Sequence, residues 1–455
     1  MFDTLFRLER NSKDALYVQV YKHIKDSIES GKVKAHTKIP SIRQGAADLG
    51  LSRRTLENAY SQLLLEGYIY SKDRSGYYVS DIGDSVISAN THETKISFVP
   101  KPVPNRYFMG VDHFDFTAWR KCYDQVLLYE NDKLLTEASP QGEYELRKEI
   151  AEYVLQARGV HCNMDRIVIG AGVQVLLGLL SVLLREMSIR SIAVESPGFT
   201  EVQHVFKDYF LDIKPIPITG HGLHMKELMK SKARVCYVSP THQYPTGAIM
   251  PVSGRVELLR WAASVDGFII EDDYDSELRY SGRPVPSLQG LDSGDRVIFL
   301  GSFSTILLPS VRISYMILPE RFYRVYRGYM DKYRQTVSKT EQLVLAHFMK
   351  DGEFQRHLRR IRKKFSVKHG IAREALEKRL PEGIFVEDSS SGVHIPLRFE
   401  RPVRMEELVE KCSAVGLKVR PITEGLLMFN FAILAEDKIL EASDKLAELL
   451  EESFV

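Results

Sequence analysis

The sequence of 455 residues lacks several features that would place it in a specialised class of protein. Its four cysteines, at positions 122, 162, 236 and 412, are far apart, which suits neither a disulfide framework nor a zinc site and favours a reducing cytoplasm. No apolar run approaches the roughly 18 residues of a membrane helix. The first residues lack a basic segment followed by an apolar one, so we expect no secretory signal.

An excess of charge of one sign is also missing, because the formal net charge is only +2 at pH 7. Residues 1–80 carry 13 Lys and Arg against 9 Asp and Glu, a net charge of +4, and the remainder carries 49 against 51, a net charge of −2. This small asymmetry agrees with nucleic-acid contact near the N-terminus without establishing it. The length leaves room for more than one globular domain.

The first 80 residues have the pattern of three helices followed by a β-hairpin. Apolar residues recur every fourth position from 16 to 28, a second helix is predicted over 40–49, and Ser52 can cap a third. Two β-rich runs, 68–70 and 77–79, then flank a polar turn. This order predicts an α+β winged helix-turn-helix.

Such a domain reads DNA with the first residues of its third helix and contacts phosphates with the hairpin, or wing. The predicted DNA-binding residues are Arg43, Ser52, Arg53, Arg54 and Thr55, with Lys72 and Arg74 on the wing. The stretches 40–43, 49–55 and 59–68 resemble the GntR family of regulators, and this resemblance implies DNA contacts for Arg43 and Arg53. A basic mini-domain with solvated arginines is the alternative.

Residues 81–95 are polar and without periodicity, so we interpret them as a linker between a domain over 1–80 and a domain over 96–455. From residue 96 strands alternate with helices, which predicts an α/β fold with a mainly parallel sheet. Residues 384–450 are interpreted as a small α/β domain. Polar motifs follow the predicted strands, at the sheet edge where open α/β sheets bind ligands.

One polar loop lies between two apolar runs, 297–300 and 313–318, which we interpret as buried strands of the parallel sheet. The loop has the sequence Gly-Ser-Phe-Ser-Thr over 301–305, and Pro309 and Arg312 follow it in the chain. It resembles the cofactor loop of fold-type I aminotransferases, which use pyridoxal 5'-phosphate (PLP) and have S-F-S-K at this place. Thr305 stands where that family has its lysine.

This substitution bears directly on catalysis. The family's lysine holds the PLP aldehyde as a Schiff base and then moves protons on the substrate. A threonine hydroxyl can do neither, so we expect no catalytic residue and a pseudo-aminotransferase domain.

PLP requires an anion seat, a carboxylate for its ring nitrogen, a donor for its phenolic oxygen and an aromatic face. We call the residues that supply these groups the cofactor cup. They are Gly172, Val173, Ser302, Ser304 and Arg312 for the anion, Asp272 for the nitrogen, Tyr274 for the phenolic oxygen and Phe199 for stacking. The cup predicts non-covalent binding of PLP or of a PLP adduct, and no metal site is expected.

Further stretches, at 140–142, 156–160, 240–247, 271–277 and 357–362, resemble the MocR subfamily of GntR regulators. This resemblance implies a cytosolic bacterial regulator, a DNA operator, a PLP-type effector and a head-to-tail homodimer. In a relative that binds an amino acid, two arginines hold its carboxylate. Here Glu201 and Met428 occupy the corresponding positions.

Two other functions remain open at this point. The chain could be a working aminotransferase with an accessory DNA-binding domain, although Thr305 argues against this. It could also be a regulator whose large domain is only a dimerisation scaffold.

Overall fold

The computed structural model describes residues 8–9, 14–82, 114–220, 222–280, 285–387, 391–401, 403–423 and 425–453. The chain divides into two compact units, 1–104 and 105–455. The predicted domain limits, 1–80 and 96–455, stay a prediction, since all of the predicted linker except residues 81–82 lies outside the described residues. None of the described helices combines the length and the apolar character that a membrane crossing needs.

In its described residues, the N-terminal unit has three helices and a hairpin. They are α1 (Leu16–Glu29), α2 (Ile42–Leu49), α3 (Arg53–Leu65), β1 (Ile69–Lys72) and β2 (Gly76–Val79). The apolar face of α1 packs on that of α3, so the apolar residues that recur every fourth position in the sequence form part of the core. The two strands reach further than predicted, because Lys72 pairs with Gly76 and only residues 73–75 form the turn.

The large unit is built on an eight-stranded sheet. Its strands are β3 (Ile167–Gly170), β4 (Ser191–Ser196), β5 (Asp212–Thr219), β6 (Gly222–Leu223), β7 (Val235–Val238), β8 (Phe268–Asp273), β9 (Val297–Ser302) and β10 (Ser314–Ile317). The spatial order is β3-β10-β9-β8-β7-β4-β5-β6. Strands β5, β4, β7, β8 and β9 are mutually parallel. Of these, β4, β7, β8 and β9 are largely buried, which agrees with their apolar central residues, whereas β5 is mostly exposed or half-buried.

Helices cover this sheet and lead into the small domain. They are α4 (Phe116–Tyr129), α5 (Tyr144–Arg158), α6 (Val173–Glu186), α7 (Thr200–Asp208), α8 (Met225–Lys230), α9 (Val252–Ser264), α10 (Leu288–Leu291), α11 (Glu320–Arg327), α12 (Lys339–Lys350) and α13 (Glu353–Arg379). Apolar clusters fill the layers between helices and sheet. The alternation predicted from residue 96 onward therefore builds a layered α/β structure.

One strand direction was predicted wrongly. The run 313–318 forms β10, which is antiparallel to both of its neighbours, β9 and β3. The reason is the short connection from β9, which contains no helix, whereas a parallel return needs a longer crossover. The antiparallel direction of β10 brings the ends of three strands together at the site. Ser302 at the end of β9, Ser314 at the start of β10 and Gly170 at the end of β3 lie in one row across the sheet edge.

The small domain has a four-stranded sheet of order β11-β12-β14-β13. Its elements are β11 (Ile384–Val386), β12 (Ile395–Phe399), α14 (Met405–Ala414), β13 (Val419–Thr423), β14 (Leu426–Phe429) and α15 (Ile439–Ser453). All of its strand pairs are antiparallel, and α13 packs along α15. The hairpin of β13 and β14 matters below, because it places Arg420 directly opposite Met428.

Candidate functional site

The predicted DNA-binding residues lie on the surface of the N-terminal unit. The Ser52 hydroxyl caps α3 by accepting a hydrogen bond from the Thr55 N–H at 3.1 Å, so α3 begins with Arg53 as predicted. Arg43, Arg53 and Arg54 are exposed. Arg53 pairs with Glu57 one turn further along the helix, at 3.0 Å. This exposed pair is weak and leaves the guanidinium available to a base or a phosphate.

The wing is stiffened by aromatic side chains. Tyr70 and Tyr78 stack across the two strands with ring centroids 5.8 Å apart, and Lys72 Nζ lies 4.9 Å from the centroid of Tyr78. Arg74 is exposed in the turn with a φ of +56°. The wing therefore presents two cations on a rigid hairpin, a geometry suited to phosphate contacts.

In the large unit, the sheet edge gathers the predicted anion-binding groups. Gly172 has a φ of +95°, and a methyl group on it would lie 2.3 Å from Arg312 Nη2, so the guanidinium rests against the glycine turn. Val173 opens α6, whose first N–H groups lack helical partners. Arg312 is exposed and pairs with no acidic side chain in the part of the chain that the structure describes. The backbone N–H groups at Gly172 and Val173, which we call the glycine nest, therefore lie beside the guanidinium of Arg312.

Three hydroxyls lie beside this nest. Ser314 Oγ donates to Ser302 Oγ at 2.9 Å, and Ser302 Oγ also accepts from the Ser304 N–H at 3.3 Å. Ser304 Oγ is buried and has no partner among the described residues. A buried hydroxyl without a partner is costly, which is consistent with a site built for a ligand oxygen.

Asp272 lies near the C-terminal end of β8. One of its oxygens accepts a hydrogen bond from the Tyr237 hydroxyl, and the other, Oδ1, is buried without a partner among the described residues. Burial raises the pKa of Asp272 to about 7, against the hydrogen bond from Tyr237, which lowers it. The neighbouring Asp273 is engaged differently, since Arg158 Nε donates to it at 2.7 Å. Asp273 Oδ1 is likewise without a partner among the described residues, but the other oxygen of Asp273 is held by Arg158, so Asp272 is the carboxyl of the two that has no cation bound to it.

An aromatic row lines the next part of the site. Phe199 packs edge-on against Tyr244 at 5.5 Å, and Tyr244 against Tyr274 at 6.2 Å. The Tyr274 hydroxyl lies 3.0 Å from His242 Nδ1, which also contacts Asp275 at 2.7 Å. Phe199 is half-buried, which leaves part of its ring open to a ligand. The role of Tyr274 as donor to a phenolic oxygen stays a prediction.

Thr305 lies half-buried in a loop whose position is fixed on both sides. The buried Phe303 ring packs among Tyr153, Tyr315 and Phe354. The Ile306 carbonyl accepts a hydrogen bond from His357 Nε2 at 2.7 Å, and burial lowers the pKa of this histidine and keeps it neutral. The loop is therefore well anchored even though it carries no lysine.

Arg420, like Tyr237, is a residue of the site that sequence reasoning missed. Arg420 on β13 shares a face with Met428, and its guanidinium lies 5.5 Å from the centroid of Tyr244. Its Nη2 also lies 4.0 Å from Glu201 Oε1. A cation thus lies beside the middle ring of the aromatic row. Only the register of the 419–429 hairpin could have indicated it, and the loop of that hairpin does not fix the register from sequence.

Among the described residues, no cluster of three or more His, Cys, Asp and Glu could hold a metal ion. The groups at the site instead match the chemistry of a phosphorylated pyridine. The orphaned oxygens of Asp272 and Ser304 and the glycine nest against Arg312 fit its nitrogen and its phosphate.

Two family models match the chain. The model "Bacterial regulatory proteins, gntR family" matches residues 16–79, and "Aminotransferase class I and II" matches residues 105–446. The chain is 38% identical over 454 residues to "Uncharacterized HTH-type transcriptional regulator YdeL" of Bacillus subtilis, covering 96% of this chain and 97% of that protein. It is 28% identical to "Probable rhizopine catabolism regulatory protein MocR" of Rhizobium meliloti, covering 91% and 88%.

Among solved structures, the kynurenine aminotransferase of Pyrococcus horikoshii in complex with PMP is similar, with a TM-score of 0.68 and 26% identity over 76% of this chain and 89% of that one. The fold and the site thus define a DNA-binding transcription regulator with an aminotransferase-like domain. The chain belongs to the gntR-family HTH-type regulators and carries an aminotransferase class I and II domain. The predicted fold class and the predicted regulatory function are confirmed.

Proposed function

We propose that this regulator senses a B6 phosphate, either PLP, pyridoxamine phosphate or an adduct of PLP, in a pocket that binds it without a covalent bond and without transamination. One observation carries the proposal. Thr305 stands in an anchored loop at the lysine position, while Asp272 and Ser304 of the cofactor cup retain buried polar atoms without a partner among the described residues. The lysine amine is needed for catalysis but not for the non-covalent contacts of the cup, so its loss removes catalysis and leaves binding.

The phosphate end is supported by charge. Arg312, the nest at Gly172 and Val173 and the hydroxyl of Ser304 offer a cation, backbone N–H groups and a hydroxyl donor. Charge-assisted hydrogen bonds to a phosphate are stronger than those between neutral groups. Because none of these groups is altered by Thr305, phosphate binding need not depend on the missing lysine.

The ring end is supported by Asp272 and Phe199. The free oxygen of Asp272 can accept a proton shared with the ring nitrogen, and the open face of Phe199 can stack on the ring. PLP supplies an aldehyde that condenses with amines and a ring that draws electrons from the adduct. Thr305 has no side-chain amine, so it can neither form a bond with the PLP aldehyde nor move protons on an adduct.

For the N-terminal unit we propose that Arg43, Ser52, Arg53, Arg54 and Thr55 contact the operator and that Lys72 and Arg74 contact its phosphates. We also propose a head-to-tail homodimer. A single winged helix buries a small interface on DNA, so two copies on two half-sites would supply the affinity that regulation requires.

Calorimetric titration of the full-length protein with pyridoxamine phosphate and with PLP tests the proposed pocket. We expect one site per chain for each ligand, and at least about tenfold weaker binding after Asp272→Asn, which removes the charge facing the ring nitrogen. Asp331→Asn, at an exposed aspartate, is the matched control. Absence of heat with both ligands would make the large domain a dimerisation scaffold. Conversion of an amino acid to its keto acid would make it a working aminotransferase.

A further inference from the structure

The segment that joins α1 to α2 pairs with the wing. Lys38 forms an antiparallel bridge with Tyr78 on β2. Beside this bridge, the Ile39 N–H donates a hydrogen bond to the Tyr77 carbonyl at 2.9 Å. The residues before α2 are thereby fixed to β2, so the wing is three strands wide at this point.

The outward face of these three strands carries cations and aromatic rings. Residues paired across strands share a face of the sheet, and so do residues two apart on one strand. Lys38 is bridged to Tyr78, which is paired with Tyr70 on β1. Lys72 lies two residues further along β1, and both lysines are exposed. We call the surface formed by Lys38, Tyr70, Lys72 and Tyr78 the wing face.

The two lysines of the wing face lie near the same aromatic ring. Nζ of Lys38 is 6.0 Å and Nζ of Lys72 is 4.9 Å from the centroid of Tyr78. The stem of Lys38 passes over β2, since a methyl group on Gly76 would lie 3.5 Å from its Cε. The Tyr78 hydroxyl lies 2.6 Å from Ser75 Oγ in the turn. Two ammonium groups and a hydroxyl are therefore gathered on one small surface, which favours the binding of an anion.

In the part of the chain that the structure describes, no acidic side chain pairs with either lysine of the wing face. Asp73, in the adjoining turn, is exposed and contacts neither of them. Lys25 on α1 provides a contrast. Its Nζ lies 5.2 Å from the centroid of Tyr68, but Glu29 Oε1 is also only 3.9 Å away. That lysine has an acid of the protein beside it, whereas the lysines of the wing face have none.

We propose that the wing face binds the DNA backbone beside the bases that α3 contacts, with Lys38 and Lys72 on phosphates of one backbone segment and the Tyr78 hydroxyl beside them. The inference rests on the proposed DNA contacts of the N-terminal unit and adds Lys38, which lies outside both α3 and the hairpin. Lysines and tyrosine hydroxyls hold phosphates without reading sequence. The wing face therefore contributes affinity and orientation, and leaves base specificity to α3.

Fluorescence anisotropy titrations of the full-length protein at several salt concentrations test this proposal. The probes are two duplexes of equal length, one carrying the operator that the wild-type protein selects from a random pool and one of random sequence. Lys38→Gln should reduce the salt slope by about 1 and weaken binding roughly threefold to tenfold on both duplexes. The ratio of the two affinities should stay unchanged. Lys22→Gln, at an exposed lysine of α1 paired with Asp14, is the control and should change neither quantity.

Lys38→Arg separates charge from packing, since it keeps the cation and should retain the wild-type slope. A slope that falls equally in Lys38→Gln and Lys38→Arg, or one that neither variant changes, would overturn the proposal. Arg53→Ala in the same titrations keeps two kinds of failure apart. If it loses operator affinity while Lys38→Gln binds like the wild type, only the wing face is refuted. If both bind the operator like the wild type, the proposed DNA contacts fail as a whole.

Discussion

The hydroxyl of Tyr237 donates a hydrogen bond to one oxygen of Asp272, and the other oxygen of this buried carboxyl has no partner among the described residues. Folding therefore holds a half-satisfied acid at the sheet edge. Such an arrangement costs stability and is explained most simply by a ligand that completes it.

A first prediction concerns this cost. Because burial raises the pKa of Asp272 to about 7, the folded ligand-free protein favours the neutral acid. The contribution of neutral Asp272 to the free energy of unfolding is fully present below pH 4 and is lost as the pH rises towards 7. We expect Asp272→Asn to raise the free energy of unfolding at pH 8 by on the order of 2–4 kcal/mol, and less at pH 5. Denaturant titrations at the two pH values measure this.

The same titrations of Asp331→Asn, at an exposed position, provide the control. If Asp272→Asn raises the free energy of unfolding equally at both pH values, folding does not favour the neutral form of Asp272. A loss at pH 8 would mean that Asp272 is a structural residue.

A second prediction concerns the glycine nest. Gly172→Ala adds a methyl group 2.3 Å from Arg312 Nη2 at a φ of +95° and should weaken pyridoxamine phosphate binding at least about tenfold. Gly159→Ala is the matched control, since it has a φ of +66° but open space around the new methyl group. Both variants should lose roughly 1–3 kcal/mol of stability from backbone strain. Equal ligand affinity in the two variants would show that the nest is not the phosphate seat.

A third prediction separates base reading from phosphate contact in the N-terminal unit. Arg53→Ala should cost roughly 1–3 kcal/mol on the operator, whereas Lys72→Ala should weaken binding to all sequences and reduce the salt slope by about 1. Lys22→Ala on α1, which removes an exposed lysine paired with Asp14, is the control. Gel shifts at several salt concentrations report both effects. Wild-type operator binding by both test variants would refute the assigned DNA-contacting residues.

A fourth prediction concerns assembly. We expect the full-length protein to sediment as a dimer at micromolar concentration and to protect two half-sites on its operator, because one winged helix alone has a modest interface. Sedimentation velocity and footprinting measure these properties. A monomer that binds its operator with full affinity would contradict the proposed homodimer.

The sequence predicted local features well and spatial pairings less well. The cap at Ser52 and the helix that follows it depend on adjacent residues, and both have the predicted form. The direction of β10 was predicted wrongly, because apolar composition cannot distinguish parallel from antiparallel neighbours. Tyr237 and Arg420 were missed, since each meets its partner across a long separation in the chain. Such contacts depend on strand register, which local patterns do not encode.

The central claim is that the cofactor cup lacks only an amine, and Thr305→Lys tests it most directly. The absorption spectrum of this variant with PLP should show a visible band that borohydride removes, and mass spectrometry should then find the phosphopyridoxyl group attached at position 305. Wild-type protein treated in the same way should show reversible binding and no attached group. If the variant shows no such band and no attached group, the cup is not preserved and the account is contradicted.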